Sequence, residues 1–332
     1  MATARGPEMA EDGSSAFCSS PADRKDGPGS EHSSYLAACR ACGVCPASCL
    51  LPGPRGPALL LRHRGVGPRV RALALSLMAN TSVISLDLGD NWLLGEGAAA
   101  IAEMLKENCS ISAVDLSDNK MGIEGAKAIS AMLLENTTVV VLQLSGNEFD
   151  DHAAKYLADA IAANSKVEVL DLSYNKFGDK AGEVLGVAIA ENIGLKELKV
   201  SWNHFHSEGA VALAKGVGAN VFLKVLDVSY NGFGNSGAAA LGEALRANNV
   251  LEELNISNNR ISVEGALRLA VGLRENKTLK ILKVSNFLPV SVTAEGNREG
   301  REEAECVNNK VLPEGFRHKT SHVVHQRESF QE

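Results

Sequence analysis

The sequence predicts an α/β solenoid: an open horseshoe with short parallel strands inside and helices outside. Three observations predict it. Asparagine recurs every 28 residues, at Asn91, Asn119, Asn147, Asn175, Asn203, Asn231 and Asn259, with no insertion between them. A fixed period of this length marks one supersecondary unit copied in tandem. Before each asparagine, two apolar residues flank a single residue of variable polarity, the period of a strand with one buried face. After each asparagine, apolar residues return at helical spacing.

The strand slots read Leu86 and Leu88, Val114 and Leu116, Leu142 and Leu144, Leu170 and Leu172, Leu198 and Val200, Leu226 and Val228, Leu254 and Ile256. The helix slots read Ala98, Ile101, Ala102 and Leu105 in one unit and Ala210, Leu213, Ala214 and Val217 in another. The third helix slot is always small, so the helix can lie close to its strand. A second asparagine series, from Asn80 and Asn108 to Asn276, stands where each helix should end. Asparagine tolerates the left-handed conformation that terminates helices, which is the role expected of it here. Phe149, Phe177, Phe205 and Phe233 share one slot and predict an aromatic spine in the core. The first asparagine series is read as structural. A carboxamide both donates and accepts, so it can satisfy the backbone of a buried turn.

The ends depart from the pattern. Residues 1–34 are rich in Gly, Ser, Pro and charge and predict a disordered tail. Residues 35–54 predict a capping segment over the exposed end of the core. Counting back 28 from Asn91 lands on His63 and puts Ala58 and Leu60 in the strand slots of a worn first unit. The array then runs over 55–286, with seven full units and the start of an eighth at Leu279, Leu282 and Val284. The next ladder position is Phe287, and residues 287–332 predict a mostly disordered tail.

These residues resemble the leucine-rich repeat family, in the form Leu-x-x-Leu-x-Leu-x-x-Asn-x-Leu/Phe-x-x-x-Gly-Ala. The helical 28-residue unit is similar to the ribonuclease-inhibitor subclass, which includes nucleotide-binding innate sensors and the GTPase-activating protein for Ran. The resemblance implies a cytosolic interaction protein. It brings no catalytic residues with it.

Composition agrees with that expectation. Between Asn80 and Asn286 there are 18 basic and 26 acidic residues, and the whole chain carries −7. That excess argues against a nucleic-acid ligand. No apolar run of signal-peptide or membrane-spanning length is visible, so a cytoplasmic or nuclear location is expected and no membrane partner. Cys39, Cys42, Cys45 and Cys49 resemble an iron–sulfur spacing. However, Leu50 stands where such runs carry proline, and no second run exists. They are read as cysteines of the cap, and no metal or cofactor is expected. Ser173, Ser201, Ser229 and Ser257 form a repeat ladder rather than a singular nucleophile. His152, His204 and His206 share no recurring partner, and no glycine-rich phosphate loop occurs. No enzyme and no small-molecule substrate are expected.

Stacked repeats present an extended surface suited to a protein partner. The residues between the strand slots face it: Asp87, Asp115, Gln143, Asp171, Lys199, Asp227, Asn255 and Lys283. The aspartates suggest an acidic face for a basic partner. The slot before each ladder asparagine holds Asp90, Asp118, Gly146, Tyr174, Trp202, Tyr230 and Asn258. Three adjacent units thus place Tyr174, Trp202 and Tyr230 side by side, in residue types that dominate binding hot spots. The expected partner site is this ridge with Asp171, Lys199, Asp227, Asp87 and Asp115. A non-enzymatic scaffold is the first reading, and a regulator of a GTPase or another enzyme through the same surface is the alternative.

Overall fold

The structure is a computed structural model that describes residues 31–51 and 56–285. The tail expected beyond residue 286, the ladder position at Phe287 and most of the amino-terminal tail lie outside the described residues. Within them, nine strands form one parallel sheet in sequence order, from β1 (Ala58–Leu60) to β9 (Ile281–Lys283). Each interior strand is three residues long, and each pairs only with its sequence neighbours. A helix follows each of the first eight strands, from α2 (Val70–Leu77) and α3 (Leu94–Glu107) to α9 (Val263–Glu275). This is the open solenoid that the period predicts.

One apolar core runs its length between sheet and helices. The middle residue of every strand is buried in it, while its two neighbours face away from the helices. Phe149, Phe177, Phe205 and Phe233 are fully buried, and successive rings from Phe149 to Phe205 lie 6.4 and 6.3 Å apart. They form the spine expected from their shared slot.

The first asparagine series joins adjacent units. Asn175 Nδ2 donates to the carbonyls of Leu144, Leu172 and Ser173, at 3.0–3.2 Å. Its Oδ1 accepts the N–H groups of Asn147 and Phe149, each at 3.0 Å. One buried side chain therefore satisfies backbone on both sides of a repeat boundary.

The second series works differently from the expectation. Asn192 is extended (φ −67, ψ 135), and so are its equivalents such as Asn108 and Asn136. These residues end helices with their side chains. Asn192 Nδ2 donates to Ile161 O and Asn164 O, and Oδ1 accepts from Gly194 and Leu195 N–H. Left-handed backbone falls instead on the slot before the first series.

The first unit also differs. Leu59 and Leu61 are its buried strand residues, whereas Leu60 is 67% exposed and Ala58 is exposed. Ala58 pairs with Ser85, 27 residues on, so this unit is one residue short. The ladder position is Arg64, whose N–H donates to Asn91 Oδ1. A one-residue slip reverses which face each strand residue takes, which is why counting by 28 misassigned Ala58 and Leu60.

Before this unit, α1 (Glu31–Cys42) and a 3-10 turn (Ser48–Leu50) carry Tyr35, Ala38, Cys39 and Leu50 into the core. Tyr35 Oη accepts the Ala47 N–H at 3.1 Å. Burial pushes its phenol up to about 12, against the opposing pull of that hydrogen bond.

Candidate protein-interaction surface

The sheet face opposite the helices is lined by the first and third residues of each strand. The aspartates there have a local task. Oδ1 of Asp87, Asp115, Asp171 and Asp227 each accepts the backbone N–H two residues on, at 2.8–2.9 Å. The carboxylate thereby closes the turn that follows the strand, as an Asx turn does. Asn255 holds the same position and makes the same contact at 3.2 Å.

The amino-terminal end of the face is not an open acidic patch. Arg62, just past β1, reaches across three units to Asp115 (2.5 Å), Asp87 (3.5 Å) and Asp118 (3.7 Å). Burial pulls its guanidinium down, but the Asp115 and Asp87 charges and hydrogen bonds more than offset that and hold it above its ordinary value. Asp87 and Asp115 thus already have an internal cation. Sequence reading missed this pairing because the reach of a long side chain leaves no trace in residue spacing. Further along, Lys199 donates to Glu197 at 2.9 Å and sits between Asp171 and Asp227. Burial lowers the lysine, yet Glu197 and the two aspartates leave it above its ordinary value.

The slot before the ladder asparagine lies at the carboxyl-terminal edge of the sheet. Asp90, Asp118, Gly146, Tyr174, Trp202, Tyr230 and Asn258 all have left-handed backbone there, with φ between +49 and +67. The N–H of each donates to the carbonyl of the next unit's serine, for example Tyr174 to Ser201 and Trp202 to Ser229, at 2.9 and 3.0 Å. That bond keeps the slot in register from unit to unit. The rings of Tyr174 and Trp202 stack at 5.3 Å and 14°, and those of Trp202 and Tyr230 at 3.9 Å and 10°. Tyr174 is 58% exposed, Trp202 43%, and Tyr230 half-buried. The three form one continuous aromatic pile with its edges in solvent. Asp171, Lys199 and Asp227 lie three residues before it in the same units, while Asp87 and Asp115 stand apart at the Arg62 end.

A further aromatic contact escaped sequence reading. Lys120 Nζ sits 3.9 Å above the ring of Trp92, which is 61% exposed. Both residues follow a ladder asparagine, so the shared slot was readable although the pairing was not.

A family model described as "Leucine Rich repeat" matches seven consecutive segments: 79–102, 107–130, 135–158, 163–186, 191–214, 219–242 and 247–270. The chain belongs to the leucine-rich repeat family. Leucine-rich repeat-containing protein 74B of Mus musculus is 55% identical over 47 residues, which is 14% of this chain and 12% of that protein. The chain thus matches only a small part of that relative's length. Among solved structures, leiomodin-1 actin-binding site 2 is 23% identical, with a TM-score of 0.37, over 39% of this chain and 77% of that one. The tropomodulin C-terminal domain of Caenorhabditis elegans is 13% identical, with a TM-score of 0.39, over 46% of this chain and 92% of that one. The leucine-rich repeat array contains no helix, among the described residues, that is long and apolar enough to cross a membrane.

Proposed function

We propose that this protein is a non-enzymatic interaction scaffold that holds a protein partner on the inner face of its repeats, anchored by Tyr174, Trp202 and Tyr230. One observation carries the reading. Three bulky aromatic residues occupy consecutive left-handed positions, stack on one another and remain substantially exposed. A left-handed backbone costs a non-glycine residue about 1–2 kcal/mol. Gly146 meets the same backbone requirement in the preceding unit without that cost. Side chains held against the local preference of the backbone are a pointer to function.

Lys199, Asp171 and Asp227 beside the pile set the orientation of the partner. Asp87 and Asp115 contribute less, because Arg62 already neutralises them. The full helices and 28-residue unit favour the ribonuclease-inhibitor-like subclass, and the free cysteines from Cys39 to Cys109 suit a reducing, cytoplasmic compartment. The test is affinity capture with the full chain and its Trp202→Ala variant. The variant should stay folded by circular dichroism and lose specific partners. Unchanged capture by a folded variant would overturn the reading.

A further inference from the structure

The edge of the sheet opposite the aromatic pile carries exposed apolar side chains. Strands β6 (Glu197–Lys199) and β7 (Val225–Asp227) are entered through short connections that leave α6 (Asp179–Glu191) and α7 (Ser207–Ala219) at Asn192 and Asn220. The residue after each asparagine points to solvent: Ile193 and Val221 are both 62% exposed. Phe222, the next residue, is 42% exposed. The position of Ile193 and Val221 holds Thr81, Cys109, Thr137 and Ser165 in earlier units, and Asn249 and Lys277 in later ones. The helix ends change with it. Glu107, Glu135 and Glu275 close their helices, whereas exposed Ala219 and Ala247 close α7 and α8 (Gly234–Ala247).

These side chains stand on a fixed frame. Asn220 Oδ1 accepts the N–H groups of Phe222 and Leu223 at 2.8 and 2.7 Å. Lys224 N–H donates to Lys196 O at 2.8 Å, which ties the two connections together. A surface already held in place loses little entropy when it is covered. Contiguous exposed apolar surface rimmed by polar groups marks an interaction site.

The charges beside the patch indicate what covers it. Between Asn80 and Asn286 there are 18 basic and 26 acidic residues, so two copies repel over most of their surface. The connections 165–168, 193–196, 221–224, 249–252 and 277–280 differ, with five lysines and two glutamates, while Glu191 and Glu275 end adjoining helices. This edge is therefore near neutral. The charges nearest the apolar residues are also paired, Lys196 with Glu168 at 2.5 Å and Lys224 with Glu252 at 3.3 Å. A second copy can approach here without repulsion and without burying an uncompensated charge. A strongly basic or acidic partner would meet no excess of opposite charge.

We infer that this edge, centred on Ile193, Val221 and Phe222, pairs with the same edge of a second copy of the chain. Closed homodimers use one patch on both subunits, related by a two-fold axis. An axis between β6 and β7 sets Ile193 of each copy against Val221 of the other, with Phe222 beside both contacts. The aromatic pile lies on the other edge of the sheet and stays uncovered in this dimer. The inference does not depend on the role of the pile.

Sedimentation equilibrium of the purified full chain tests it. The wild type should be dimeric within a range of about 1–100 μM. The double variant Ile193→Thr, Val221→Thr restores the residue type of Thr81 and Thr137, so the fold is not at risk. It should weaken dimerisation about tenfold or more. A charge exchange tests the two-fold arrangement. Ile193→Lys and Val221→Glu should each be monomeric alone and dimerise when mixed. The mixed dimer sets the new ammonium on the new carboxylate at one contact and leaves Val221 on Ile193 at the other. Circular dichroism confirms that each variant is folded. A wild type that stays monomeric up to about 100 μM overturns the inference and leaves the patch to a different protein. A dimer that persists in the threonine variant, or a mixture that stays monomeric, overturns it as well.

Discussion

At the scale of single residues, the repeat is held by carboxamides rather than by leucines alone. Asn175 is nearly fully buried and bonds to carbonyls and N–H groups of two units. Asn175→Leu keeps the volume and strands the N–H groups of Asn147 and Phe149. Each orphaned buried donor costs about 1–3 kcal/mol, so urea unfolding should show a loss of roughly 3 kcal/mol. The ridge residues should behave oppositely. Trp202→Asn surrenders stacking worth about 0.5–1.5 kcal/mol per pair but suits the left-handed backbone better. Its stability should change little in the same experiment, while partner capture falls. The asparagine series, the core phenylalanines and the aromatic slot were all legible in sequence, because a solenoid assigns one environment to each repeat position. The left-handed backbone under Tyr174, Trp202 and Tyr230 was not legible, since aromatic side chains give no hint of it. The reach of Arg62 was not legible either. A long side chain crossing three units leaves no trace in spacing.

At the scale of elements, glycines decide how close the outer helices come. In α6 (Asp179–Glu191) and α7 (Ser207–Ala219), a Cβ on Gly216 would strike the Gly186 carbonyl, and one on Gly182 would meet Gly209 backbone at 2.5 Å. Gly216→Ala should force the two helices apart and cost about 1–3 kcal/mol, despite the better helix propensity of alanine. Urea midpoints of the two proteins check this. The small third helix slot predicted close packing of helix on strand, but Gly186 and Gly242 of that slot lie against the backbone of the next helix, so the slot is the sequence signature of the helix-to-helix contact instead. The capping segment offers a spectroscopic test. Tyr35 is held neutral by burial, with its phenol up to about 12 against an ordinary 10.0. Its folded-state value is raised, so the stability this confers is complete below about pH 10 and disappears as pH rises through 12. Tyrosinate absorbance should show a late phase near pH 12 that Tyr35→Phe removes. If that phase persists in the variant, Tyr35 is not the buried phenol.

At the scale of the whole molecule, charge divides the inner face into two regions. Arg62 closes the amino-terminal region by tying Asp87, Asp115 and Asp118 to the first unit. Arg62→Gln should lower the melting temperature, and added salt should shrink the difference, since these groups remain partly exposed to screening. The region beyond it carries the stacked aromatics with Asp171, Lys199 and Asp227, and there the surface departs most from simple repetition. On the proposed function, this region, and not another exposed aromatic, meets the partner. Hydroxyl-radical footprinting of the full chain, in buffer and in native lysate, tests it most directly. Trp92 and Tyr156 are exposed controls placed away from the pile. Oxidation of Tyr174, Trp202 and Tyr230 should fall in lysate while that of Trp92 and Tyr156 does not. Unprotected ridge residues, or protection confined to the controls, would contradict it.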